Sequence, residues 1–311
     1  MLWLFLALAA YAFFALVSIG DKYLLSGRVP HPLVYAFYVG GLGGLAILLT
    51  PFFGFPLPEG AEIIPALISG AVFIAGLLLY YTGLRRYEAS RIVPAIGGLL
   101  PLFTLSISYF LFPGIALAPL DALALMFLIA GSVVITAKDA KSIFGESFGI
   151  PLAAAALLAF SFTLAKYVYL EESFWSGFLW MRIGGAVFAL VLFAVSAELR
   201  KELFFERRLV RAEKRTKRVS TPLLFLGNQA IGVVAAVFQN LAIYVAPPVM
   251  IALVNALQGT QYLFLIFFAA IVSFEFPGVL RESFSRKSLL KKVFAVALLG
   301  GGTAILIFSR T

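Results

Sequence analysis

Two of the 24 Lys and Arg residues in this 311-residue chain, Lys166 and Arg182, stand inside long apolar runs and away from the basic loops. Ionisable side chains inside a bilayer are costly, and they default to functional hypotheses. Lys166 lies some four residues before the end of its run, and Arg182 about six residues into the next. If these runs are antiparallel neighbours, both cations sit at similar depth and form a patch suited to an anionic solute. Snorkelling to headgroups, or pairing with Asp21, Glu171 or Glu172, is the alternative. Lys22 belongs with this set as the counterpart of Lys166 in an internal repeat, near the opposite surface.

Neutral polar residues collect in two later runs. Asn228 and Gln239 are 11 residues apart, as are Gln229 and Asn240; 11 residues is close to three helical turns, so each pair lines one stripe. Asn255, Gln258 and Tyr262 follow an i, i+3, i+7 pattern on one face, with Gln261 beside it. Such groups either line a cavity or make interhelical hydrogen bonds worth about 1 kcal/mol or less each. In the first half, Pro101 occupies the position matching Gln258, and a kink is expected at Gly97, whose carbonyl loses its helical donor.

Other chemistry has no residues to run on. The chain has no cysteine and one histidine, His31, in a loop. No Asp or Glu is expected in a span interior, no metal-ligand spacing occurs, and no nucleophile stands beside a base. A phosphate-binding GxxxxGK[ST] loop is missing as well. The expectation is therefore a protein that is not an enzyme and takes no cofactor or metal.

The elements that must position these residues are membrane spans. Apolar residues make up 62% of the chain and charged residues 13%, where soluble domains carry roughly 25% charged. The mean hydropathy is +1.02. Apolar runs at 2–20, 33–52, 63–83, 92–112, 119–136, 148–169, 176–196, 222–244, 248–272 and 290–308 are each near the roughly 20 residues that cross a bilayer as a helix. The first reads as a retained span rather than a signal peptide. The fold class predicted is an all-α integral membrane protein of about ten transmembrane helices.

The chain also resembles itself. Lys22-Tyr23 recurs as Lys166-Tyr167 and Gly40-Gly41 as Gly184-Gly185, both at an offset of 144; Leu84 and Tyr87 match Leu241 and Tyr244 at 157; Gly131-Ser132 matches Gly302-Thr303 at 171. This predicts one five-helix repeat over 1–137, a cytoplasmic linker over 138–147, and a second repeat over 148–311 that carries basic inserted loops at 197–221 and 274–289. An odd number of spans per repeat inverts the second half, the plan of many alternating-access carriers.

Net charge is +9, yet the basic residues fall in short runs between spans, which argues for topology signals and against nucleic acid. Of the 24 Lys and Arg, 21 lie in or beside alternate loops, between spans 1–2, 3–4, 5–6, 7–8 and 9–10. By the positive-inside rule that side is cytoplasmic and both termini lie outside. The segment 204–218, apolar residues among many basic ones, is expected on the anionic inner leaflet.

The run YTGLRRYEASRIVPAIGGLLP (81–101), the fifth span ending LIAGSVVIT, and the stretches LAKYVYLEESFWSGFLW (164–180) and NALQGTQYLF (255–264) resemble the EamA domain of the drug/metabolite transporter superfamily. The resemblance covers nearly all of the chain. It implies two inverted five-helix repeats around a central cavity and carriage of a metabolite, commonly outward. Two features depart from the family pattern: FPGIALAP (112–119) has no charge where many members carry a Gly-Glu-Arg-type loop, and well-known members place both termini in the cytoplasm. The functional expectation is a secondary transporter of a small, anionic or zwitterionic metabolite in the plasma or inner membrane, as a monomer or homodimer. A lipid flippase and a non-transporting scaffold are the other readings. The expected site residues are Lys22, Lys166, Arg182, Gln229, Gln239, Asn240, Asn255, Gln258 and Tyr262.

Overall fold

A computed structural model describes residues 1–25, 31–56, 63–86, 89–136, 149–203, 221–261, 263–265, 267–268 and 286–308. It is 92% helical, with no strand among the described residues. Tyr262, the linker 138–147, the segment 204–218 and most of the two basic loops lie outside them.

Each predicted run falls on a helix where it is described; of the run 248–272, residues 262, 266 and 269–272 lie outside the described residues. We number these α1 (Leu2–Leu25), α2 (Pro32–Phe53), α3 (Ile63–Arg86), α4 (Ala89–Leu111), α5 (Pro119–Thr136), α6 (Gly149–Glu171), α7 (Phe174–Val195), α8 (Thr221–Val245), α9 (Pro248–Leu265) and α10 (Arg286–Phe308). Seven of these are long and apolar enough to cross a membrane, and α4, α5 and α10 contain shorter apolar stretches, Ile96–Leu111, Pro119–Gly131 and Val293–Ile305. In α10 the shortening has a plain cause: Arg286, Lys287, Lys291 and Lys292 occupy its first turns.

Local chemistry sets the ends. Proline stands at the first turn of α2 and of α9, where a missing N–H removes no helical bond. Ser173 caps α7 by accepting a hydrogen bond from the Ser176 amide at 3.3 Å. Gly54 closes α2 at φ 78°, a conformation open to glycine. Two spans are irregular at mid-length: α2 tightens to a 3₁₀ helix over Gly44–Leu49, and α9 over Leu257–Gly259. The second falls on Gln258, whereas α4 continues as an α-helix through its counterpart Pro101.

Packing runs mainly between the halves. The most extensive contacts pair α1 with α8, α3 with α6, α5 with α10 and α3 with α7, and α2 also packs on α7 and α4 on α9. Small residues allow these approaches, because lipid offers no hydrophobic drive between helices and close van der Waals contact must substitute. A Cβ on Gly70 of α3 would lie 1.8 Å from the Met181 carbonyl oxygen of α7, and one on Gly184 would lie 2.2 Å from the Leu67 oxygen. On α5 and α10 the contact is reciprocal: Gly131 receives Leu299, and Gly302 receives Leu128.

Buried apolar side chains form two clusters. The larger runs through α1, α4, α6 and α9; the smaller joins Leu24, Val34, Tyr35, Ile74, Tyr81, Leu199 and Phe225 at the end where α1, α3 and α7 finish and α2 and α8 begin. That end carries the basic loops.

Candidate functional site

A pocket opens where α2, α3, α6, α7 and α8 meet. It has room for one or two waters, about 30 Å³ of free space, within a cleft of about 430 Å³. Gly43, Ser69, Phe73, Ser161, Arg182 and Asn240 are among its walls. Glycines on α2 and α7 leave the backbone bare there, and the Arg182 side chain passes over Gly43, whose Cβ position lies 3.6 Å from its Cδ, an ordinary contact distance.

The polar groups of the pocket differ in how they are engaged. Ser69 Oγ donates to the Ser161 carbonyl and Ser161 Oγ donates to the Ser69 carbonyl, each at 2.9 Å, a reciprocal clasp between α3 and α6. Asn240 donates to the Ala236 carbonyl at 2.8 Å and accepts from the Tyr169 hydroxyl at 3.1 Å. Arg182 is the exception. Its guanidinium carbon stands 4.8 Å from the Phe178 ring centroid and 5.9 Å from that of Phe73. Among the described residues it makes no ion pair and no hydrogen bond. A guanidinium held by aromatic faces keeps its fork of N–H donors for a ligand.

Lys166 takes a different role. It is 4% exposed, and its Nζ donates to the Tyr244 carbonyl at 2.8 Å, satisfying one of the orphan carbonyls in the last turn of α8. Lys166 and Arg182 are thus on neighbouring helices with separate tasks. The side chain of Lys22 lies outside the described residues.

The amide stripes sort by neighbour. Asn228 and Gln239 face α1, as their 11-residue spacing allows: Asn228 Nδ2 donates to Asp21 at 2.7 Å, and Gln239 reaches the Tyr11 hydroxyl. Gln261 of α9 also turns to α1, donating to Ser18 Oγ at 2.8 Å and to the Phe14 carbonyl at 3.2 Å. These are fasteners in a packed seam. Gln229, half-buried, shares neither the seam nor the pocket. Asn255, fully buried, donates to Thr104 Oγ1 of α4 at 2.8 Å. Its Oδ1, and Oε1 of Gln258, are buried without a partner. Neither residue lines the pocket of Arg182, so the expected joint site of cation and α9 amides is not brought together there; of the expected residues, Arg182 and Asn240 meet in it.

Sequence reasoning passed over Ser69 and Ser161, since a serine in an apolar run carries no mark of what it faces, and over Phe178, which the i, i+4 spacing to Arg182 on one helix could have found. It also expected no acidic residue inside a span, and so no carboxylate for proton exchange, with Asp21 only an alternative partner for the cations. In the structure Asp21 belongs to the last turns of α1, half-buried, and accepts hydrogen bonds from the Tyr35 hydroxyl and from Asn228.

No family model and no curated protein matches the sequence. Among solved structures 28 chains match. One, a crystal structure of a protein, aligns over 99% of this chain and 96% of its own with a TM-score of 0.66 and 17% identity. That likeness is one of fold alone; among its described residues this chain is all-helical, with seven helices long and apolar enough to span a membrane.

Proposed function

We propose that this chain is a secondary transporter of the EamA type in the drug/metabolite transporter superfamily. It has ten crossings in two inverted repeats, sits in the plasma or inner membrane, and carries a small anionic or zwitterionic metabolite by alternating access. The observation that carries the reading is Arg182: a cation in a pocket between the two halves, held by Phe178 and Phe73, with no acidic partner among the described residues. In a low-dielectric site such a charge attracts a carboxylate or phosphate far more strongly than in water.

The pairing of helices supports the repeat. Exchanging each helix for its counterpart five places on maps the α1–α8 contact onto α6–α3, and returns α2–α7, α4–α9 and α5–α10 to themselves; the extensive α3–α7 contact has no match of like extent between α8 and α2. The glycine contacts follow the same exchange: at the offset of 171, Gly131 becomes Gly302 and Leu128 becomes Leu299, the two partners of the reciprocal contact. A pocket with room for so little can admit a metabolite only by parting the halves, which is the motion alternating access requires.

The test is a counterflow screen in proteoliposomes with amino acids, organic anions and sugar phosphates. Saturable exchange of at least one anionic or zwitterionic solute is expected. Exchange confined to cations, or to a fluorescent phospholipid analogue across the leaflets, overturns the proposal.

A further inference from the structure

Asp21 ties three helices together at the end of the molecule that carries the basic loops. It sits on α1; the Tyr35 hydroxyl of α2 and Asn228 Nδ2 of α8 both donate to its Oδ1, the second at 2.7 Å. The contact with Asn228 is so close that a Cβ on Gly20 would overlap the amide at 2.1 Å. Among the described residues the titratable groups facing this carboxylate are phenols, Tyr35 from α2 and Tyr80 and Tyr81 from α3; α8 presents the neutral Asn228. The side chain of Lys22, next on α1, lies outside the described residues, and consecutive helical residues do not face one another.

The node is embedded in the smaller apolar cluster, where Tyr35 and Tyr81 of the first half pack with Leu199 and Phe225 of the second. Ile74 belongs both to that cluster and to the wall of the Arg182 pocket. The layer is therefore the floor that separates the pocket from the basic end, and Asp21 is its one charged clasp between halves among the described residues apart from the His31–Glu198 contact at 3.2 Å.

Resting on the transporter reading, we infer that Asp21 is a proton-binding site that operates this floor. As a carboxylate it holds α2 and α8 by two charge-assisted hydrogen bonds. Taking up one proton converts it to the neutral acid, the two bonds fall to neutral strength, roughly half, and the layer can part. The proton leaves again as the clasp closes, and no other bond is made or broken. The partners present O–H and N–H donors to the carboxylate rather than the ring of oxygens a metal cation takes, which favours the proton over sodium.

The test has two arms on the full-length protein. In the first, pH-difference infrared spectra of reconstituted protein should contain a protonated-carboxyl band that is lost in Asp21→Asn, kept in Glu198→Gln, and retained with a moved midpoint in Asp21→Glu, the variant to use if the amide fails to fold. In the second, Gly43→Cys reports access to the pocket in a chain without native cysteine. A membrane-impermeant methanethiosulfonate applied from the basic end is normalised to Ala197→Cys, exposed at that end. Labelling should rise about tenfold on acidification, the effect of weakening two charged hydrogen bonds. In Asp21→Asn it should be fast at all pH, while in His31→Gln the pH dependence persists. A band indifferent to Asp21, a dependence that follows His31 instead, or access gated by sodium at fixed pH overturns the inference. Failure is separable from failure of the transport reading: band and gating without any solute counterflow sink the transporter, whereas counterflow without the band sinks only the proton site.

Discussion

Gly70→Ala should damage the protein far more than a single methyl suggests. The added Cβ would stand 1.8 Å from the Met181 carbonyl oxygen and 2.8 Å from the Gly185 amide nitrogen. Both are backbone atoms of α7, so no side chain can rotate away. Reaching even the 3.0 Å below which real Cβ contacts essentially never fall requires α3 and α7 to part by more than 1 Å locally. That separation loosens the α3–α7 seam and the Ser69–Ser161 clasp one residue away. Overpacking of this kind costs about 1–3 kcal/mol, against which the helix gains at most about 1 kcal/mol from replacing glycine by alanine. Gly41→Ala is the control, because nothing lies within 4 Å of its Cβ position and only the propensity gain remains. Thermal unfolding of purified protein in a mild detergent, followed by tryptophan fluorescence, should place Gly70→Ala a few °C below wild type, about 2–4 °C for each net kcal/mol, and Gly41→Ala at or above it. Equal midpoints for the two variants would refute the idea that backbone contact between α3 and α7 limits packing.

Arg182→Gln should weaken binding of an anionic substrate by roughly thirtyfold, about 2 kcal/mol, and Arg182→Lys should recover only part of it, because an ammonium lacks the planar fork; titration calorimetry with any anion found by counterflow reads both, and unchanged affinity removes the anion site. Lys166→Met should lower stability by about 1.5–3 kcal/mol, the value of a charged hydrogen bond, while leaving substrate affinity intact; a selective loss of affinity would return Lys166 to the binding site. Single cysteines at Arg86 and Ala197 should be shielded from an impermeant thiol reagent in intact cells and those at Ser173 and Ala116 should react, all four being exposed; the reverse pattern overturns the termini-out orientation.

Much of the architecture was legible in the chain because a bilayer writes its thickness into sequence: a helix that meets lipid must be apolar for about 20 residues, and seven of the ten apolar runs fall on helices long and apolar enough to cross one. Helical periodicity was equally readable. The 11-residue spacing of Asn228 and Gln239 does put both on one face, and that face meets α1. The paired glycines at 40–41 and 184–185 marked helix contacts, but not which glycine of each pair is pressed: Gly40 and Gly184 meet neighbouring backbone, while Gly41 meets nothing. Periodicity tells which residues share a face, and it is silent about what the face touches. The partners of Arg182, Lys166 and Asp21 are therefore tertiary facts. Phe73 lies more than a hundred residues from Arg182, Tyr244 is 78 residues from Lys166, and Asn228 is 207 residues from Asp21. Only tertiary packing brings Phe73 to Arg182, the Tyr244 carbonyl to Lys166 and Asn228 to Asp21.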